Sequence, residues 1–386
     1  MNKKLIALAV AGACVAPAAM AQTANPVTLY GRVHVNVESV EATGTVPLPR
    51  RTRVQDEASR FGIRGTEDLG GGLSAFFQLE TAFYVDQNVN TGAANGSTVS
   101  PFATRNSAVG LQGGWGSLLI GRWDTPLKVA ANSMDPFGDV TWGGQAIAML
   151  GSGAGGVSGQ FDIRQQNVIQ YWTPNWAGFS ARLSMMANEG KNAASNPRSN
   201  GATVGYTRGP IFITYAYHEL KDYNAYSNSA ASATSGTKQS LNALLGTFTF
   251  GPVKVGGIYH KIKRTGYAST PATTYNDQKS WLANVVWTMG SNQLIFQHQN
   301  DKDGGAQSLA TSPSCKADSI AWQYNFSKRT ATYIQYAKID NNDTGTCNSG
   351  TYPGTLNSAG ALGVGVVNLP AGQDVKALSW GLAMNF

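Results

Sequence analysis

The sequence predicts an all-β fold, a sixteen-stranded antiparallel barrel that spans a membrane. Three observations predict it. The chain opens with a secretory signal, its middle repeats a unit of strand plus turn or loop, and its last strand alternates apolar with small or polar residues from Leu378 to the terminal Phe386. A period of two gives a strand with one apolar face. An exported β chain with outward apolar faces is typical of the outer membrane, because closing the barrel pairs every backbone group in lipid.

The N-terminus has the pattern of a signal peptide. Lys3 and Lys4 supply the positive charge, an Ala-rich apolar stretch follows, and Ala19-Met20-Ala21 forms a small-x-small cleavage pattern. We expect residues 1–21 to be cleaved and residues 22–386 to form the barrel. A retained helical anchor is the alternative, but the stretch is short for one, and no other segment reaches the ~18 consecutive apolar residues of a membrane helix.

Composition and charge exclude several classes of protein. The chain has 45 Gly residues but only 13% charged residues, which is unusual for a soluble enzyme. Without Lys3 and Lys4, 27 basic residues face 22 acidic ones, a net charge of +5. The surplus forms no Lys/Arg block, so nucleic-acid binding is not expected. If the surplus lined a pore, it would favour anions.

The residues that catalysis would need are not arranged for it. None of the four histidines belongs to a pair with metal-ligand spacing, and no Gly-x-Ser-x-Gly elbow appears. His34 lies near Glu38 along one strand face, where a hydrogen-bonded histidine is favoured over a base–acid pair. We therefore expect no enzymatic activity, no cofactor and no metal.

Turns and loops alternate along the chain in a strict pattern. Seven tight turns are predicted at residues 68–71, 113–116, 175–178, 208–210, 251–252, 290–292 and 327–329. Eight long Gly/Ser/Asn/Thr-rich loops are predicted near residues 41–57, 86–104, 124–163, 189–200, 220–238, 265–279, 301–317 and 341–374. Short turns at one end and long loops at the other indicate sixteen strands of an outer-membrane barrel. A sandwich has no reason to segregate its loop lengths.

Strand faces follow the same alternation. In the first strand, Val27–Val40, one face is aliphatic and the other is polar. The polar face carries Tyr30, Arg32, His34, Asn36 and Glu38. Around Arg105–Leu111 and Ser117–Trp123 neither face is clearly apolar, so these walls could face a subunit or an inward loop instead of lipid.

Four segments carry a family resemblance. They are VTLYGRVHVNVE, SRFGIRGTEDLGGGLSAFFQLE, TRNSAVGLQGGWGSLLIGRWDTPL and the terminal SWGLAMNF. Together they make the whole mature chain resemble the Gram-negative general diffusion porins of Neisseria, Burkholderia and their relatives. The resemblance implies a homotrimer in the outer membrane, in contact with lipid and lipopolysaccharide, with one pore per barrel. It also implies an inward-folded third loop, and recognition of Phe386 by the barrel-assembly machinery.

The loop at residues 124–162 is the candidate constriction. It is the longest, and long loops in compact folds are usually functional or disordered. The resemblance assigns acidic constriction residues to its Pro-Phe-Gly-Asp turn and a ladder of arginines to the facing wall. The acidic candidates are Asp135 and Asp139, and the basic candidates are Arg60, Arg105 and Arg164, with Arg32 and Arg64 added by face. A solvated surface loop and ordinary wall ion pairs are the alternatives.

The expected function is a water-filled channel for passive diffusion of small hydrophilic solutes and ions, with weak anion selectivity. The alternative is a substrate-specific channel, for example for phosphate or dicarboxylates. An outer-membrane enzyme is a weaker alternative because its motifs are absent from the sequence, and an adhesin is weaker because it would need no inward loop and no arginine ladder.

Two cysteines remain once Cys14 leaves with the signal. Cys315 and Cys347 flank one predicted hairpin at its long-loop end, within reach of a disulfide in an oxidising compartment. We expect them to be bonded. Two free thiols on surface loops are the alternative.

Overall fold

The computed structural model is a closed, antiparallel barrel of sixteen strands. It describes residues 27–44, 47–86, 102–138, 142–144, 161, 163–222, 236–266, 274–275, 277–302, 306–307, 314–343 and 372–386. The wall strands, numbered β1 to β16 with β2 in two segments, are Thr28–Thr43, Leu48–Asp56 with Arg60–Gly70, Leu73–Ala82, Ser107–Gly113, Gly116–Asp124, Arg164–Trp172, Phe179–Met186, Arg198–Arg208, Ile211–Lys221, Lys238–Phe250, Val253–Thr265, Gln278–Met289, Asn292–Lys302, Cys315–Asn325, Thr330–Asn341 and Asp374–Asn385.

The barrel closes between its first and last strands. Each strand pairs with its neighbours in sequence, and β1 also pairs with β16, from Arg32 opposite Asn385 to Thr43 opposite Asp374. No edge of the wall is therefore left open to lipid. Outside the wall, Thr274–Tyr275 and Ala306–Gln307 form a short pair of their own.

The outer surface carries the apolar faces that alternation predicts. Leu378, Trp380, Leu382 and Met384 are all exposed, and their neighbours Ala377 and Ser379 are buried on the inner side. The two strands whose faces looked ambiguous follow the same rule. Their exposed residues are Val109, Leu111, Leu118 and Ile120. The wall is thus apolar outward in these strands too.

All seven predicted tight turns are confirmed, but one predicted long loop is wrong. Most of residues 41–57 belongs to β1 and β2, which pair from Val35 opposite Asp56 to Ala42 opposite Leu48. A hairpin that rises above the membrane needs no apolar outer face, so its polar sequence resembles a loop. The true irregularity of β2 lies at residues 57–59, where Ala58 adopts a φ of 56°.

An α-helix, α1, spans Pro126–Met134 just after β5. Thr125 caps it, since its side chain accepts a hydrogen bond from the Lys128 N–H, and Pro126 occupies the first turn, where it needs no donor. Among the described residues, no helix is long and apolar enough to cross a membrane. Within the same residues, no three His, Cys, Asp or Glu side chains are grouped to hold a metal ion.

Candidate functional site

The loop between β5 and β6, residues 125–163 and here called L3, folds into the barrel. Its helix α1 packs on the inner wall of β8 to β12. The apolar face of α1 consists of Leu127, Ala130, Ala131 and Met134. The wall residues in the same buried cluster include Ala216, Leu241, Ala243, Leu245, Ile258, Ile262 and Leu282. An inward apolar patch on a barrel wall is costly in water, so covering it with α1 holds L3 inside the lumen.

Hydrogen bonds fix L3 where the apolar contacts end. Asn284 of β12 donates to the Met134 carbonyl at 3.2 Å, at the last residue of α1. Further along L3, the Gly144 carbonyl accepts from Gln299 of β13 at 2.9 Å. Phe161, fully buried, lies edge-on to His218 with ring centroids 5.3 Å apart. The inward course of the third loop is thereby confirmed for the described residues.

The tip of L3 reaches the strand that closes the barrel. The Trp142 indole donates to a carboxylate oxygen of Glu38 on β1 at 2.8 Å. Arg53 forms an ion pair with the other oxygen of Glu38, and its guanidinium lies 5.9 Å from the centre of the Trp142 ring. Ser379 of β16 adds a hydrogen bond to Glu38 at 3.3 Å. Glu38 is only 1% exposed, so these donors stabilise its charge in place of water.

The base of L3 is locked by Arg164. Its guanidinium pairs with Asp124 at 3.0 Å and donates to the Asn106 side chain at 2.8 Å. Asn106 in turn donates to Asp124 at 2.9 Å. Asp124 ends β5, and Arg164 begins β6 directly opposite it. The basic candidate Arg164 thus joins the two strands where L3 leaves and re-enters the wall.

Arg105 is also paired. Its Nε donates to Glu80 at 2.7 Å, and the Tyr30 hydroxyl donates to the second oxygen of Glu80 at 3.1 Å. Arg105 precedes β4 instead of lying within it. Its charge is therefore balanced locally at the wall.

The remaining basic candidates lie together on β1 and β2. Arg32 is directly opposite Arg60, and Arg64 is opposite Thr28 on the same face. This face also carries Glu38, which contacts L3, so the three guanidinium groups lie on the lumen side. Arg32 contacts His34 at 2.7 Å, and Arg64 lies over the Tyr30 ring at 5.1 Å. Two arginines side by side repel each other, an arrangement that an anion can relieve.

The structure describes Asp135 but not Asp139, the second acidic candidate. Asp135 follows α1, is 9% exposed, and accepts a hydrogen bond from the Phe137 N–H at 3.0 Å. Its carboxylate thus helps to hold the turn that leaves the helix. Asp139 lies outside the described residues, so its place relative to the arginines stays a prediction.

The two remaining assignments concern the end of the chain and the cysteines. Phe386 exchanges two backbone hydrogen bonds of 3.0 Å with Gly31, so the last residue is paired to β1. Cys315 is buried and disulfide-bonded, and its expected partner, Cys347, lies outside the described residues.

The sequence did not lead us to predict the helix α1 or the contact of Trp142 with Glu38. The signal for α1 was present, because Thr125-Pro126 is a helix start, and the apolar residues that follow recur at spacings of three and four. For Trp142 no signal existed, because a tryptophan that precedes two glycines does not reveal which carboxylate it will meet.

Comparisons with known proteins agree with this geometry. A family model described as Gram-negative porin matches residues 7–344. Outer membrane porin protein 32 of Delftia acidovorans is 31% identical over 374 residues, covering 95% of this chain and 98% of the relative. The major outer membrane protein P.IB of Neisseria gonorrhoeae is 27% identical, covering 86% and 92%.

Solved structures share the fold. The anion-selective porin from Comamonas acidovorans superposes with a TM-score of 0.72 at 25% identity, covering 94% of this chain and all of that one. The trimer form of OmpT from Vibrio cholerae superposes with a TM-score of 0.62 at 13% identity, with the same coverage. The latter likeness concerns the fold alone.

Proposed function

Because this chain belongs to the family of Gram-negative porins and is an outer-membrane diffusion channel, we propose that it passes small hydrophilic solutes and ions with a weak preference for anions. The observation that carries the proposal is the register that sets Arg32 beside Arg60, with Arg64 on the same lumen-facing surface. The mature net charge of +5 acts in the same direction. The anion-selective solved relative adds support.

The basic surface attracts anions through a charge that does not titrate. Guanidinium groups stay protonated at every physiological pH and hold a planar shape, so their field in the pore is constant. Arg105 and Arg164 belong to the same proposed constriction. Glu80 and Asp124 pair with these two arginines and reduce the net charge that each contributes to the pore.

The acidic half of the proposed constriction is Asp135 with Asp139 on L3. Carboxylates opposite guanidinium groups create a transverse field, in which polar solutes orient and apolar solutes must disrupt ordered water. The acids also moderate the anion preference, which keeps the selectivity weak. The docking of α1 on the inner wall supports this role, because it keeps Asp135 inside the barrel.

The proposed function includes export of the chain and its assembly in the outer membrane. Residues 1–21 are a cleaved signal peptide, and Phe386 is the signal that the barrel-assembly machinery reads. The folded chain forms a homotrimer in contact with outer-membrane lipid and lipopolysaccharide. The trimer form of OmpT from Vibrio cholerae, which shares the fold, supports the oligomer. The pairing of Phe386 with Gly31 supports a role for the terminal strand in closure.

Reversal potentials test the selectivity. We expect purified channels in a planar bilayer with a KCl gradient to favour chloride, and the preference to weaken at high salt as screening shortens the range of the wall charges. Arg60→Gln should reduce the preference. Arg329→Gln, which removes the same charge at an exposed turn, is the matched control. A preference for potassium in the unmodified channel would contradict the proposal.

A further inference from the structure

The inner wall of β3 to β6 carries a second apolar surface that is separate from the one under α1. Its buried residues are Ala108, Leu119, Trp123 and Val168, and the half-buried Phe76 and Trp172 pack against them. They share the inner face with Met186, which joins the cluster around α1. The lumen of such a barrel is ordinarily polar, so an apolar patch outside the docking surface of L3 is unusual and suggests a function.

Arg182 lies at the edge of this patch. It is directly opposite Trp172 in the sheet, and its guanidinium is 4.7 Å from the centre of the Trp172 ring. Trp123 lies 5.7 Å from the same ring, and Gln170 accepts a hydrogen bond from the Trp172 indole at 3.1 Å. These contacts hold Trp172 in place, so Trp172 offers a fixed platform for the cation.

Unlike Arg53, Arg105 and Arg164, which each pair with a carboxylate, Arg182 has no acidic partner among the residues that the structure describes. In the part of the chain that the structure describes, Arg182 makes no hydrogen bond or ion pair through its side chain, and its contact is the Trp172 ring. Stacking uses the flat face of a guanidinium and leaves its in-plane N–H groups for an anion.

We propose that Arg182 on Trp172 is a lumenal binding station for organic carboxylates that carry an apolar group. The carboxylate accepts from the in-plane N–H groups of Arg182, and the apolar group lies against Trp172. The station is near the short-turn end of β7, away from the arginines of β1 and β2, and it does not depend on the proposed charge of the constriction. It would favour aromatic over equally charged small carboxylates.

Block of the chloride current by benzoate, compared with acetate, tests the station. In purified channels in a planar bilayer, we expect benzoate to block at lower concentration than acetate. Arg182→Gln should raise the half-blocking benzoate concentration by about tenfold, the loss expected when a charge-assisted hydrogen-bonded pair is removed. Arg182→Lys keeps the charge but not the planar fork, and should give an intermediate value. Trp172→Leu should weaken benzoate block and leave acetate unchanged.

Arg208→Gln is the matched control. Arg208 is exposed on the neighbouring strand and lies opposite the outward-facing Ile211, so the substitution removes the same charge outside the lumen. Unchanged benzoate block in Arg182→Gln channels that conduct normally in KCl would overturn the proposal, as would an equal loss in Arg208→Gln. If the KCl reversal potential shows no chloride preference while benzoate block still requires Arg182, the proposed selectivity fails and the station stands.

Discussion

The indole of Trp142 donates a 2.8 Å hydrogen bond to Glu38, joining residues that are 104 positions apart in the chain. This contact ties the tip of L3 to β1, the strand that closes the barrel against β16. Glu38 also receives Arg53 and Ser379, so the tip is held by a buried, charged cluster. L3 is thereby fixed at three places: its base at Arg164, its helix on β8 to β12, and its tip at Glu38.

Replacing Trp142 by Phe should loosen the tip of L3 without unfolding the barrel. The change removes a donor to a buried carboxylate, a loss of about 1.5–3 kcal/mol, while the wall pairing stays intact. We expect more open-channel current noise and closure at lower voltage in single-channel recordings. Trp176→Phe is the control, since Trp176 is exposed at a short turn. Identical noise in both variants would show that this contact does not restrain the loop.

Removing Phe386 should impair assembly. Deletion loses the backbone pair with Gly31, about 0.5–1.5 kcal/mol for each bond, and exposes a strand end in the membrane. We expect less folded, heat-modifiable oligomer in the outer membrane. Phe386→Ala keeps the backbone bonds, so a similar loss there would assign the effect to the ring. Met384→Ala, on the same outward face, should assemble normally. Full yield from the deletion would place the assembly signal elsewhere.

Gly31 should be intolerant of substitution. A Cβ at this position would lie 2.4 Å from the Phe386 ring and 2.6 Å from the Arg60 backbone carbonyl. The ring can turn, but the backbone oxygen cannot, so Gly31→Val should displace the β1–β2 pairing. We expect a lower yield and a lower temperature of trimer dissociation on semi-native gels. Gly209→Ala is a suitable control, because nothing surrounds that turn glycine and only its φ of 56° resists the change.

Replacing Asp135 and Asp139 by Asn should raise the anion preference. In Asp135→Asn the side-chain oxygen still accepts from the Phe137 N–H, so the turn is retained while the charge is lost. A unit charge acts on an ion at 4 Å in water with about 1 kcal/mol, so a change of a few-fold in the permeability ratio is expected. Reversal potentials in a KCl gradient measure it. An unaltered ratio and conductance in the double variant would remove both acids from the constriction.

The partner of Cys315 should be Cys347. Cys315 begins β14 directly opposite Asn341 of β15. Cys347 follows Asn341 by six residues in the sequence, so the chain is long enough to bring it back to Cys315. The bond would be worth about 3 kcal/mol in the chain-entropy model. Mass spectrometry of the non-reduced protein should yield a peptide that links the two. Alkylation of both thiols without reductant would contradict the assignment. The barrel should persist after reduction, since strand pairing already fixes the hairpin.

The sequence by itself determined the wall. Alternation from Leu378 to Phe386, the glycine-rich tight turns and the segregation of loop lengths are local signals, because a strand has a period of two and a tight turn needs particular residues. They fixed the number of strands and the outward face, and they placed Arg32, Arg60 and Arg64 in the lumen. They failed at residues 41–57, where the paired β1–β2 hairpin has a polar sequence that does not mark it as strand.

Only the tertiary structure decided what the lumen contains. The docking of α1, the bond from Trp142 to Glu38 and the stacking of Arg182 on Trp172 are contacts between inward side chains. The closure and stagger of the barrel decide which of them meet. Closure also brings Arg105 to Glu80, Arg164 to Asp124 and Arg32 beside Arg60. A linear pattern shows which face a side chain takes, but only the closed wall brings its partners to it.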